Sequence, residues 1–321
     1  MSGPGSFAVA PPAESMGRPG IAAIDPAAVL LHGALDTHVH ACPHINRRRV
    51  DALEAARSAY DAGLRGIVLI DNFAVSSGLA GLAEERLTPE RPFSVLGGIV
   101  LNHQVGLINP AAVETAIAYG NRASFVSLPT HHTRHVALAE GRDRTSVERA
   151  FAVPERVGGA LAEVLDLVAD HDLVFNTGHI AGDEALRAVS AAAERGIRRI
   201  LVPAVGYDHD VLRQLADLGA YVEFTFFFTS YAAELPLTHI DGTPTTTART
   251  SPVEVAQAIR AVGPEHCVVS SDAGSWVLPP PVESLRCFVA MLLALGFSED
   301  DVRAMVASNP RRLFDHRIHP D

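Results

Sequence analysis

The chain has 321 residues, 48% of them hydrophobic and 20% charged, which is enough apolar material for a sizeable core and excludes wholesale disorder. Its formal net charge of −11 argues against nucleic acid or an anionic membrane surface as the main partner. All 26 residues of the Lys+Arg count are arginine, so any chemistry that needs a lysine amine is excluded: Schiff-base catalysis, Walker-type phosphate loops and carboxylated-lysine metal bridges.

In chain order, the Gly-, Pro- and Ala-rich residues 1–25 read as a flexible arm without the basic start and apolar stretch of a signal peptide. From residue 26 onward, short apolar runs alternate with helical patterns. Strands are expected at Ala34–His38, Gly66–Ile70, Ser94–Leu101, Ser124–Leu128, Leu173–Thr177, Arg199–Val202, Ala220–Phe226 and Cys267–Ser271. Helices are expected at Arg49–Ala62, Pro110–Tyr119, Val157–Asp170, Asp183–Arg195, Asp210–Leu218, Pro252–Val262 and Val282–Leu295, several ending at a glycine. Eight such units predict an α/β fold: a single (β/α)8 TIM barrel over residues 26–321. A last helix pair, Glu299–Ala307 and Pro310–Phe314, is expected outside it. No GxGxxG follows the first strand, so a dinucleotide-binding open sheet has no support. Two connections, Pro129–Val153 after strand 4 and Phe227–Ser251 after strand 7, are long enough to act as lids at the catalytic end of a barrel.

Asp36-Thr37-His38-Val39-His40 closes strand 1, where alternation places His38 and His40 on one face. Asn176-Thr177-Gly178-His179 brings a histidine to the end of strand 5, and Ser270-Ser271-Asp272 brings a carboxylate to the end of strand 8. His38, His40, His179 and Asp272 are therefore the candidate ligands of one divalent metal ion. Zinc is the first choice, with manganese or iron as alternatives.

This pattern resembles the amidohydrolase superfamily of metal-dependent barrels. DTHVH, TGHI and SSDAG match its ligand positions, and SNPRRLF resembles its closing helix. GGIVLN, NPAAVETAIAYG, LPTHH and TGHIAGDEALRAV look more like a poorly characterised bacterial branch of amidohydrolase-like proteins. The resemblance implies a hydrolase of amides, cyclic amides, esters or lactones, with Asp272 both binding the ion and taking the proton of the attacking water. The alternatives are a decarboxylase of the same fold and a lapsed barrel with a binding role. Two departures stand out. The histidine that the superfamily places after strand 6 is replaced by Pro203-Ala204-Val205, leaving His209 either to reach back as a catalytic group or merely to start the next helix. The bridging lysine of two-metal members cannot exist, although Asp71, His103 or His131 could hold a second ion.

Candidates to touch a small-molecule substrate are His103, His131, His132, His135, Arg134, Arg249 and Trp276, with Phe224–Phe228 as an apolar wall; Glu223 faces either into or out of strand 7. Cys42, Cys267 and Cys287 form no CxxC pair and suggest reduced thiols in a cytoplasmic protein, with Cys42 a bystander. No membrane or nucleic-acid partner is expected, and a homo-oligomer is left open.

Overall fold

The computed structural model describes residues 25–87, 89–238, 244–245 and 248–320. Apart from Asp25, the arm expected over residues 1–25 lies outside the described residues. Asp25 caps the first helix, Pro26–Leu30 (α1), accepting from the Ala27 amide at 3.0 Å, while Pro26 occupies the first turn where its missing N–H costs nothing.

Eight strands follow: Leu35–Val39 (β1), Gly66–Leu69 (β2), Ser94–Val100 (β3), Ala123–Ser127 (β4), Val174–Asn176 (β5), Ile200–Pro203 (β6), Tyr221–Thr225 (β7) and Cys267–Ser270 (β8). Each pairs in parallel with the next in sequence, and a parallel bridge between Val39 and Ala273 joins β8 back to β1. The result is a (β/α)8 barrel, with strand ends within a few residues of those expected. Runs such as GIVL and CVVS are buried on both faces, as parallel strands between helices and a barrel interior must be.

The helices between strands are capped by local chemistry. Ala52–Asp61 (α2) begins with a capping box in which Asp51 and Glu54 bond each other's backbone amides at 2.8 and 2.9 Å. A helix over Ser77–Leu87 (α3) is not evident in the sequence, because Gly78 and Gly81 lower its propensity. The fold uses the first of these as space: a Cβ on Gly78 would lie 2.7 Å from the Tyr119 ring. The long connection after β4 contains two short helices, Arg134–Ala139 (α4) and Arg144–Arg149 (α5). The one after β7 turns at once into Phe226–Thr229 (α6).

Inside the barrel, Leu35, Val68, Leu96, Phe125, Val174, Leu201 and Val268 pack in one apolar cluster with Leu313 and Phe314. The C-terminal helix pair therefore does not pack wholly outside the barrel, as expected from the sequence. The helix Glu299–Arg303 (α7) continues through one wide turn, Ala304–Ser308, into Asn309–Phe314 (α8), which drives Leu313 and Phe314 into the end where the strands begin. Asn309 fixes this closure by donating to the carbonyls of Cys267 at 2.7 Å and Pro264 at 2.9 Å. Among the described residues no helix is long and apolar enough to cross a membrane.

Candidate metal centre

At the opposite end, β1 delivers His38 as its penultimate residue and His40 just past its end. Asp272 follows β8 by two residues in the left-handed region, φ 46°. Asparagine and aspartate tolerate that region best among residues with a side chain, and non-glycine residues held there concentrate at functional sites. The turn is locked by close approach of two backbones. A Cβ on Gly274 would sit 2.2 Å from the His40 carbonyl oxygen, so only glycine lets the two segments meet, and the His40 amide bonds the Ala273 carbonyl at 2.9 Å.

Three side chains converge. The Nε2 atoms of His38 and His40 stand 3.3 and 3.2 Å from the same oxygen, Asp272 Oδ1. Both rings have their outer nitrogens committed. His40 Nδ1 faces the Ile70 carbonyl at 2.8 Å, which can only accept, so Nδ1 carries the proton and Nε2 presents a lone pair. His38 Nδ1 faces Glu223 Oε2 at 3.4 Å. Among the described residues, His38, His40 and Asp272 form the group of three whose ligand atoms all lie within 4.8 Å of one another. A lone pair pointed at a carboxylate oxygen is repulsive unless positive charge lies between them. The donor set, two imidazole nitrogens and a carboxylate, suits a borderline divalent cation.

The electrostatics agree. Burial opposes protonation of His38, but Asp272 and the hydrogen bond to Glu223 outweigh it and push its pKa up to about 9. Burial, aided by Arg48, pushes His40 down to about 4, and burial takes His179 to about 4 despite Asp272. Asp272 is held below the ordinary carboxylate range: burial works against its charge, and His38 and His40 more than compensate. Left to its own charges, the site carries an extra proton on His38 where a divalent ion would place its charge.

Glu223 is the functional residue that the sequence leaves undecided. It points inward, almost fully buried, and accepts from Thr37 Oγ1 at 2.7 Å and Ser270 Oγ at 2.8 Å while holding His38 Nδ1. Such carboxylate–histidine pairs orient metal-ligating rings and set their tautomer. Asp36, two residues before His38, accepts from the amides of Ser271 at 3.0 Å and His38 at 3.3 Å. Its Oδ2 is buried without a partner, and burial raises its pKa to about 6.

A cavity of about 630 Å³ opens over the trio. His131, His135, His179 and Trp276 line it, as do Phe227 and Phe228. His179 reaches it from the turn after β5, where a Cβ on Gly178 (φ 62°) would lie 2.4 Å from two carbonyl oxygens of the β4 loop. His131 is held by Asn102, whose Oδ1 accepts from its amide at 3.0 Å. Six other expected residues, His209, His103, His132, Arg134, Arg249 and Asp71, do not line this cavity. His209 is the exposed first residue of the helix His209–Asp217, so it does not replace the missing strand-6 histidine; Pro203, Ala204 and Val205 line the wall there. His103 is exposed and stacks edge-on with His132, their ring centroids 5.6 Å apart, and neither lines the cavity. Arg134 is exposed at the start of α4, and Arg249 pairs with Glu234 at 3.6 Å. Asp71 bonds the amides of Phe73 and Ala74, and no second group of three forms with His103 and His131 among the described residues. Arg48 and Asn46, from the loop after β1, line the cavity without any signal in the sequence.

Similar folds occur among solved structures. The probable dipeptidase PvdM from Pseudomonas aeruginosa has a TM-score of 0.60 at 12% identity, covering 91% of this chain and 97% of that one. An amidohydrolase from the same organism gives 0.57 at 13%, covering 92% and 99%. An amidohydrolase from Burkholderia multivorans, solved with bound zinc, gives 0.55 at 14%, covering 88% and 99%. At these identities the likeness is one of fold, the (β/α)8 barrel. No curated protein matches the chain. The sequence model of DUF6282, a family of unknown function, matches residues 33–223, a stretch that holds β1 to β6 and the start of β7, with His38, His40, His179 and Glu223. The chain belongs to the DUF6282 family and has a (β/α)8 barrel fold similar to that of these amidohydrolases.

Proposed function

We propose that this chain is a metal-dependent hydrolase that cleaves an amide, cyclic amide, ester or lactone bond of a small organic molecule. The observation that carries the reading is the convergence of His38 Nε2 and His40 Nε2 on Asp272 Oδ1, with both outer ring nitrogens already committed to Glu223 and the Ile70 carbonyl. His38, His40 and Asp272 would hold the ion, with His179 the further nitrogen donor on the same cavity wall. Zinc suits this set best, ahead of manganese and iron. When bound, a divalent ion supplies Lewis acidity toward a carbonyl oxygen and makes water a stronger acid.

The chain's own residues supply the rest. Glu223 keeps the proton of His38 on Nδ1, so that Nε2 faces the site as a donor of electrons. Asp272 Oδ2, bonded by Thr225 Oγ1 at 3.3 Å, is the basic oxygen placed to take a proton from the attacking water. Phe227, Phe228 and Trp276 give the cavity an apolar side that favours an apolar substrate body and limits free water.

The reaction class is tested by incubating metal-loaded protein with cyclic amides, lactones and aromatic acids in heavy-oxygen water. The expected result is a product that gains one solvent oxygen and no carbon dioxide. Carbon dioxide release without oxygen uptake would replace the hydrolase by a decarboxylase of the same fold.

A further inference from the structure

The loop that follows β1 is pinned to the segment that follows Asp272. Arg48 bridges Ser275, the Arg49 amide bonds the Gly274 carbonyl at 2.8 Å, and the Cys42 amide bonds the Val50 carbonyl at 2.9 Å. This places the Arg48 side chain on the wall of the metal-site cavity, on a backbone held from both sides. We infer that Arg48 receives a carboxylate of the substrate, so that the substrate class is a small carboxylate with an apolar or aromatic body. The inference rests on reading this cavity as the hydrolase site.

Among the described residues the half-buried Arg48 guanidinium has no hydrogen-bonded acid. The hydrogen bond it makes there runs from Nη2 to His44 Nε2 at 3.0 Å, and His44 is kept neutral because burial and Arg48 itself push its pKa down to about 3. Nε is buried with no hydrogen-bond partner. The nearby carboxylates are used elsewhere: Asp71 Oδ1 accepts from Phe73 and Ala74, and Asp272 Oδ1 faces the two histidines. Elsewhere in the molecule arginines find acids, as Arg122 does with Glu84 and Arg199 with Asp172 and Asp315. Asp71 and Asp272 lie near enough to favour its charge, but among the described residues neither hydrogen-bonds it, and a planar guanidinium with open donors matches a carboxylate best.

The rest of the cavity narrows the choice. Ile45, Phe227, Phe228, Ala232 and Trp276 offer apolar surface, and Arg47 lies over the Trp276 ring at 4.9 Å. Asp272 and Glu140 also line the cavity, and both would repel a dianion such as a phosphate more than a singly charged carboxylate.

Trp276 is the only tryptophan of the chain and lines the cavity, so its fluorescence reports occupancy directly. The probes are 3-phenylpropanoate and its neutral counterpart of the same shape, 3-phenylpropanamide, titrated into metal-loaded protein. The carboxylate is expected to bind roughly 10- to 100-fold more tightly than the amide, a preference lost in Arg48→Met and partly kept in Arg48→Lys. Equal binding of the two probes by the unaltered protein overturns the inference, as does an Arg48→Met variant that keeps the preference. The same probe pair is titrated into chelator-treated protein, because a bound cation attracts carboxylates by itself: a preference that persists without the ion supports Arg48, and one that appears only with the ion overturns the inference even where Arg48→Met fails to fold. Metal content is measured in parallel. A protein that takes up no ion defeats the hydrolase reading, whereas the fate of the Arg48 reading is set by the probe pair in ion-free protein.

Discussion

Where the barrel strands begin, Leu35, Leu96, Val174 and Val268 meet Leu313 and Phe314 in a dry plug, and charges at that end are paired: Glu84 takes both Arg122 and His319. Where the same strands end, buried polar groups face one another. Two imidazoles point at one carboxylate oxygen of Asp272, over an open cavity. One end is closed by apolar packing. The other gathers acids and imidazoles around one point that an ion and a charged substrate would fill, the division expected of a barrel enzyme.

Substitutions that separate the two ends sharpen this contrast. Phe314→Ala at the plug is expected to cost about 3–5 kcal/mol in chemical denaturation, because a fully buried aromatic leaves a cavity, yet to leave metal content unchanged. Loss of the ion in that variant would break the separation. Glu223→Gln at the site is expected to weaken metal binding about 10- to 100-fold, or about 1.4–2.8 kcal/mol, measured by chelator competition. An unaltered affinity would show that Glu223 only fills space.

Acid should also act through the upper end. His40 and His179 ionise at about 4 when folded and 6.5 when free, so each contributes stability above 6.5 that is lost as pH falls toward 4. His44, lowered to about 3, acts the same way, while Asp36, raised from 3.8 to about 6, and Asp71, also raised by burial, act oppositely, so three imidazoles outweigh two carboxyls. His38, raised to about 9, stays protonated there. The melting temperature of chelator-treated protein is thus expected to fall by a few degrees between pH 6.5 and 4.5; a rise would contradict the electrostatics. The smallest effect is expected for His209→Ala, an exposed helix start away from the cavity: stability within about 0.5 kcal/mol and turnover unchanged.

Much of this was legible in the sequence because it rests on local rules. Apolar runs separated by glycine stops place the strands, and DTHVH, TGHI and SSDAG stand at strand ends where a barrel must gather them. What stayed hidden depends on contacts between distant segments. Glu223 lies in a strand buried almost throughout, so alternation does not say which face looks inward. Arg48 sits in an irregular loop whose place beside the site is set by bonds to the distant Gly274 and Ser275. His209 follows a strand that ends six residues earlier, and the helix it starts turns it to solvent. The plug formed by Leu313 and Phe314 depends on the wide turn before Asn309, which no periodicity announces.

The central claim is that the upper end is a metal centre, and elemental analysis of purified protein tests it most directly. After exposure to zinc, manganese or iron and removal of free ion, the account predicts about one ion per chain, lost in His38→Ala and Asp272→Ala variants that still fold. A wild-type chain that retains no ion, or variants that retain as much as the wild type, would contradict it.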